Sequence, residues 1–387
     1  MPKLHVSART ETFTESVIRE MTRRIQQVGG VNLAQGFPDF NPPDELIEAA
    51  TRAMKDGLNQ YAITWGSPRL REAICEKASW YNGIHCDPDR NVTVTCGATE
   101  AMMASMLAIV DPGDEVVIFE PYYENYGPDT IVSGAKPVYV PLIEPDFDFD
   151  PDALRAAFND ATKAIIINTP HNPSGKVFTS DELALIAELC ERYDVIAVTD
   201  EIYEHIIYDG SRHISPASVP GLRDRTITIS GLSKTYSATG WRVGYAIAPE
   251  HITNAIRKVH DFLTVGAPAP LQEAGVTALR LPRGYYTRLA EFYCHKRDII
   301  CKELADVGFV PFVPKGAYYV LTDIAAFDAP DDTEFAVRLV ETVGVAAVPG
   351  SSFYSQTGLG SNKIRFAFCK TEETLRDAIS RLEALKR

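Results

Sequence analysis

Between residues 164 and 200 the chain twice runs an apolar strand into a cluster of polar turn formers, and this pattern restricts the fold more than any other. Ala164-Ile165-Ile166-Ile167-Asn168 gives way to Thr169-Pro170-His171-Asn172-Pro173-Ser174-Gly175. Val195-Ile196-Ala197-Val198-Thr199 ends in Asp200-Glu201-Ile202-Tyr203. A strand that is apolar on both faces has no solvent side, so its sheet must be covered above and below. Strands alternating with helices then imply an α/β sheet, which takes its ligand at the carboxyl ends of its strands. Asn172, Asp200, Tyr203, Lys234 and Arg242 all fall at such ends or just beyond. A single aspartate there is more often a cap or an ion-pair partner. Five groups of complementary chemistry at one edge describe a site.

The richest of these stretches follows the alternating strand Thr226-Ile227-Thr228-Ile229 and reads Ser230-Gly231-Leu232-Ser233-Lys234-Thr235-Tyr236-Ser237-Ala238-Thr239-Gly240-Trp241-Arg242-Val243-Gly244. Lys234 sits among Gly, Ser and Thr, a turn composition rather than a helix interior. Partial dehydration of a lysine lowers its pKa, and the neutral amine is the form that makes an imine with an aldehyde. Arg242 offers a planar fork that can grip a phosphate with two parallel N–H bonds. Singly, these are a surface lysine and an arginine of some unrelated salt bridge. Together they suit a carbonyl cofactor that carries a phosphate, of which pyridoxal 5'-phosphate (PLP) is the common one.

Gly231-Leu232-Ser233-Lys234, Ser237-Ala238, Gly240 and Trp241-Arg242-Val243-Gly244 also resemble the lysine-attachment signature of the class-I aminotransferases, PLP enzymes of the aspartate-aminotransferase fold type I. The resemblance implies an α/β fold. Its large domain holds a mostly parallel seven-stranded sheet covered by helices on both faces. A smaller α+β domain is formed by the C-terminal part and the N-terminal segment. Expected boundaries are 1–40 for the N-terminal segment, 41–285 for the large PLP-binding domain and 286–387 for the small domain. A helical pattern from Gly284 to Val307 joins the two, and another helix is read from about Glu15 to Gln27. In Lys363-Ile364-Arg365-Phe366-Ala367-Phe368, the residues Ile364, Phe366 and Phe368 share one face, so Arg365 points the other way.

The resemblance carries roles onto single residues. Gly36 reads by itself as a bend; the family's matching glycine lies over the substrate α-carboxylate, where the missing Cβ lets a backbone amide approach. Tyr61 by itself is a packed aromatic; its family counterpart reaches the neighbouring subunit's cofactor phosphate, which implies a homodimer with shared active sites. The Cys96-Gly97-Ala98-Thr99-Glu100 turn opens a helix whose free N–H groups suit phosphate, and Ala98 and Thr99 are assigned to it. Tyr123 is expected to stack on the pyridine ring and Asp200 to keep the ring nitrogen protonated. Tyr203 and Asn172 are expected at the phenolic oxygen. Gly231 replaces a serine common among relatives, so Ser233 is the candidate for the missing phosphate contact. Arg365 and Asn172 would orient the substrate carboxylate. Lys234, Asp200 and Tyr203 form the catalytic set, Lys234 moving the proton between Cα and the cofactor in a ping-pong exchange with a 2-oxo acid.

For the donor, Thr99 stands where an aspartate-reading subgroup has a lysine. Gln35-Gly36-Phe37-Pro38-Asp39-Phe40 and Gly97-Ala98-Thr99-Glu100 look more like enzymes for aromatic amino acids, methionine, glutamine or kynurenine. Phe13, Trp65 and Tyr123 are candidates to line an apolar pocket. Aspartate is the runner-up, and a cysteine-conjugate β-lyase comes third. A PLP-binding transcription regulator would need a basic DNA-binding domain, whereas the chain carries a net charge of -14, hostile to non-specific nucleic-acid binding. No apolar run approaches the ~20 residues of a membrane span, and Met1-Pro2-Lys3-Leu4-His5 lacks the apolar stretch of a secretory signal. The seven cysteines are scattered and the eight histidines show no metal-ligand spacing. These features lead us to expect reduced thiols, no metal and a cytoplasmic location.

Overall fold

A computed structural model describes residues 6–386; the Met1–His5 segment lies outside the described residues. In chain order the strands are β1 (Val31–Asn32), β2 (Val92–Thr95), β3 (Glu115–Glu120), β4 (Lys136–Ile143), β5 (Asp148–Phe149), β6 (Thr162–Asn168) and β7 (Ile196–Asp200). They continue with β8 (Thr226–Gly231), β9 (Gly244–Ile247), β10 (Val310–Phe312), β11 (Tyr319–Asp323), β12 (Val345–Ala346), β13 (Val348–Pro349) and β14 (Lys363–Ala367).

The large sheet has the order β2-β9-β8-β7-β6-β3-β4-β5. Strands β4, β3, β6, β7 and β8 pair in parallel. Antiparallel β9 links β8 to β2. The expected mostly parallel seven-stranded sheet is therefore present, and the two-residue β5 extends its edge as a short eighth strand. Alternation along single strands explains the layering. Val117, Phe119, Ile165, Ile167 and Ala197 enter one apolar cluster with Leu183, Ile186 and Cys190 of the helix Ser180–Tyr193. Val116, Ile118, Ala164, Ile166 and Val198 enter another with Ala101, Met102 and Met106 of the helix Ala98–Ile109. Successive side chains point to opposite faces, and both faces are covered.

The smaller sheet is antiparallel, in the order β10-β11-β14-β13. Beside it β1 pairs in parallel with β12, Val31 opposite Val345. The N-terminal helix spans Val17–Val28, capped by Ser16 and stopped by left-handed Gly29 at φ 72°. Its Ile18, Met21 and Ile25 share a core with Val345, Phe366 and Leu382. The 25-residue helix Arg283–Val307 adds Tyr293, Ile300 and Leu304 to that core. All seven cysteines are free. Among the described residues no helix is long and apolar enough to cross a membrane.

Candidate active site

A cavity of about 820 Å³ opens at the carboxyl ends of β6, β7 and β8. Gly36, Ala98, Thr99, Tyr123, Asn172, Asp200, Tyr203, Ser233, Lys234 and Arg242 all line it. These residues come from loops after different strands, far apart in sequence, and the parallel sheet brings them to one edge.

Lys234 leaves the turn after β8 and its Nζ donates to the Gly36 carbonyl at 2.8 Å. The Tyr318 hydroxyl donates to the same carbonyl at 2.9 Å. A Cβ on Gly36 would collide with the Tyr319 ring, so only glycine lets this loop lie there. Burial pushes the Lys234 amine down to about 8; the nearby Arg242 and Arg365 charges act in the same direction, against Cys369 and Asp200. An amine in that range is partly neutral near physiological pH, and the neutral fraction can attack a carbonyl.

Asp200 ends β7, opposite Asn168 of β6. Burial raises its pKa to about 6, restrained by the Tyr126 hydroxyl, the Ile202 N–H and the Lys234 charge. Tyr126 donates to Oδ2 at 2.9 Å and Ile202 to Oδ1 at 3.2 Å. These bonds aim a carboxylate into the cavity. It is suited to a cationic ring nitrogen, because a cation opposite would favour the ionised form further.

The third part is a cradle for an anion. Thr95 of β2 faces Gly244 of β9, and the chain turns through Gly97 at φ +85° into the helix Ala98–Ile109. No side chain caps that helix, so its first N–H groups are free to meet a ligand. A Cβ on Gly97 would collide with the Arg242 guanidinium, and a Cβ on Gly244 with the Gly97-Ala98 peptide. The guanidinium thus lies directly against the turn. Arg242 itself is left-handed at φ 55°, its Nη1 donating to the Thr239 carbonyl at 2.9 Å.

Arg365 is fully buried rather than solvated. Its Nη1 donates to Asn172 Oδ1 at 2.9 Å and its Nη2 to the Ala34 carbonyl at 2.6 Å. The guanidinium lies 4.2 Å from the Tyr319 ring centroid, and its Nε has no partner among the described residues. It reaches the cavity edge through Asn172, whose N–H donates to Asn168 Oδ1 at 2.7 Å. Tyr203 forms a hydroxyl–hydroxyl bond with Tyr319 at 2.9 Å.

Two expected pocket residues are elsewhere. Phe13 and Trp65 do not line the cavity; Trp65 instead packs beneath Arg257, 5.0 Å from ring centroid to guanidinium. Tyr61 is also outside it and 87% exposed. Sequence reasoning missed Tyr126, Tyr319 and Arg19. Tyr126 opens the helix Tyr126–Val132 and Tyr123 lies before it, so no helical spacing relates the two and no local signal marks Tyr126. Among the described residues Glu201, Glu204 and His213 converge closely enough for a metal. Their carboxylates are already engaged, by His213 and Ser215 on Glu201 and by Lys77 and Ser230 on Glu204.

The donor set fits PLP: an amine of lowered pKa for an aldehyde, a carboxylate for a pyridinium, and an arginine beside free helix N–H groups for a phosphate. When bound, PLP supplies an electron-withdrawing ring that weakens bonds at the amino acid's Cα.

Comparison with known proteins agrees. The family model "Aminotransferase class I and II" matches residues 28–382. A Mycobacterium tuberculosis protein named as a probable N-succinyldiaminopimelate aminotransferase is 39% identical, over 98% of each chain. The solved structure of the N-succinyldiaminopimelate aminotransferase from that organism superposes with a TM-score of 0.96 at 38% identity, covering 98% of this chain and all of the other. Human kynurenine–oxoglutarate transaminase 1 is 38% identical over 92% of each chain, and Escherichia coli methionine aminotransferase 38% over 96% of each. With its lysine, carboxylate and anion cradle at one sheet edge, this chain belongs to the class I and II aminotransferases and is a PLP-dependent transaminase.

Proposed function

We propose that the chain moves the α-amino group of an aromatic or broad neutral amino acid, of the aromatic, methionine, glutamine or kynurenine type, to a 2-oxo acid such as 2-oxoglutarate. The observation that carries this reading is the character of the wall. Ile18, Phe37 and Leu263 offer apolar surface, and Thr99, on the same lining, stands where the sequence resemblance gives an aspartate-reading subgroup its lysine. Kynurenine and methionine are named for two relatives. A second reading, favoured by the cavity's size and the M. tuberculosis relative, is a long donor of the N-succinyldiaminopimelate type.

In this proposal Lys234 would anchor the cofactor and, once displaced by the donor's amine, would take the Cα proton and deliver it to the cofactor's C4'. Asp200 pairs with the ring nitrogen. Tyr203 and Asn172 hydrogen-bond the phenolic oxygen, and Tyr123 stacks on the ring. Arg242, Ala98, Thr99 and Ser233 hold the phosphate. Arg365 takes the α-carboxylate with Asn172, beneath Gly36; its unpartnered Nε and fixed fork suit a bidentate acceptor.

Tyr61 would complete the phosphate site of a second copy. Its ring is exposed, as is Ile63, and the Thr64 carbonyl bonds His260 Nε2 at 2.8 Å on the helix Glu250–Leu263, which ends at Phe262-Leu263. Phe262 is 91% exposed and Leu263 also lines the cavity. Such an apolar patch at a site's rim supports a homodimer. Residues 1–40 and 286–387 would act as the smaller unit and 41–285 as the larger.

The test is a half-reaction screen. The loaded protein is mixed with single amino acids and loss of its visible band is followed. Aromatic or sulfur amino acids are expected to react fastest. Aspartate outpacing them all overturns the donor assignment, and N-succinyldiaminopimelate outpacing them establishes the second reading.

A further inference from the structure

Away from the cofactor cavity, two of the seven free cysteines meet. The sulfurs of Cys75 and Cys86 stand 2.8 Å apart. Cys75 lies in the last turn of the helix Pro68–Lys77, and Cys86 on the segment that runs back from it towards β2. The reversal is made by the wider helical turn Ala78–Asn82 and by Gly83, left-handed at φ 70°. A disulfide bond of about 2.05 Å needs only a small further approach of the two sulfurs.

Both arms of this loop are pinned independently of the thiols. Arg71, buried one turn before Cys75, donates from Nη1 to the Pro88 carbonyl and to Asp89 Oδ1, each at 2.5 Å. Lys77, also buried, donates to Asn82 Oδ1 at 3.0 Å and pairs with Glu204. The fold therefore holds the two sulfurs together. Both cysteines are half-buried, and Cys86 lines a second cavity of about 280 Å³ with His85, Asn91 and Arg223, where a small oxidant can reach it. Contact with Cys75 lowers the Cys86 pKa, against burial and the Asp87 charge, and the same contact raises that of Cys75. Because the thiolate is the reactive form, Cys86 is the thiol that attacks and Cys75 the one that resolves.

We propose that Cys75 and Cys86 are a redox-active dithiol, closed to a disulfide by hydrogen peroxide and reopened by thiols. The Cys86 thiolate attacks one peroxide oxygen and the O–O bond breaks. The released hydroxide takes up the proton Cys86 had lost and leaves as water. Cys86 is then a sulfenic acid, oxidised by two electrons as the peroxide is reduced. The Cys75 sulfur attacks the Cys86 sulfur, the S–O bond breaks, and the departing hydroxide takes the Cys75 proton as a second water. Two thiols and one peroxide thus give one disulfide and two waters. The closed bond braces the loop that holds the turn after Asp200, where the Tyr81 hydroxyl donates to the Glu204 carbonyl at 2.5 Å and Asn82 Nδ2 to Glu204 Oε2 at 2.7 Å.

In the test, the PLP-loaded protein is reduced, freed of reductant and treated with hydrogen peroxide, then alkylated and digested with trypsin without further reduction. Cleavage after Arg71, Lys77 and Arg90 leaves the two cysteines on separate peptides, 72–77 and 78–90. A linked pair of these peptides, lost on adding dithiothreitol, is expected. Dimedone should trap a sulfenic acid on Cys86 in C75S and none on Cys75 in C86S. The oxidised wild type should melt about 2–4 °C above the reduced one, because closing the loop restricts the unfolded chain. The double variant C75S/C86S should melt alike with and without peroxide. Two separately alkylated peptides, or a bond from either residue to another cysteine, overturn the pairing. A sulfenic acid on Cys75 in C86S overturns the assigned order of attack, and an oxidised wild type that melts no higher than the reduced one overturns the brace.

Discussion

The Tyr126 hydroxyl donates to Asp200 Oδ2 across 2.9 Å, from the first residue of a helix packed beside the cavity. This bond works against burial, which holds the Asp200 pKa at about 6. In Y126F the aspartate should ionise less readily and pair less well with a ring cation. Loss of a hydrogen bond to a charged group corresponds to about 1.5–3 kcal/mol, so PLP affinity is expected to fall roughly 10- to 100-fold. Equilibrium titration of the cofactor checks it; an unchanged affinity removes Tyr126 from the account.

Gly97 and Arg242 make a second test. A methyl group at position 97 must displace the guanidinium and also strain a backbone at φ +85°. G97A is expected to fold, to bind PLP at least about tenfold more weakly, and to lose protection of the protein by inorganic phosphate. Wild-type affinity in G97A would mean that the turn and Arg242 do not hold the phosphate.

A pH titration follows from Lys234. Burial lowers its pKa to about 8, so the neutral, reactive form grows as pH rises through that value. The rate at which cofactor-free protein takes up pyridoxal phosphate should climb between pH 7 and 9, with its midpoint near 8. A midpoint near the ordinary lysine value of about 10.4 would contradict the burial argument.

Phe262 tests the assembly. F262E places a charge on an exposed position next to the cavity-lining Leu263 without touching the core. Sedimentation is expected to show the variant shifted towards monomer, with weaker PLP binding because the partner's tyrosine is lost. A wild type that sediments as a monomer would end the shared-site proposal.

The sheet and most of the cavity were legible because both depend on local rules. Apolar runs such as Ala164–Ile167 announce a strand buried on both faces, and the Gly/Ser turn around Lys234 announces where that edge turns functional. Strand alternation told which face Arg365 takes, and its role came from the family resemblance. Contacts set by tertiary packing were not legible. Nothing local says that Tyr126 turns towards Asp200 or that Tyr319 meets Tyr203. Phe13 and Trp65 were only candidates for the pocket, because aromatic character does not reveal which neighbours a ring will find. The two-residue β5 was too short for any periodicity to register.

The central claim is that Lys234 binds the cofactor covalently. Borohydride reduction of the PLP-loaded protein, followed by digestion and mass spectrometry, tests it most directly. The account predicts a single pyridoxyl adduct, on the peptide carrying Lys234, and none in K234A. An adduct on another lysine, or a loaded wild type that yields none, would contradict it.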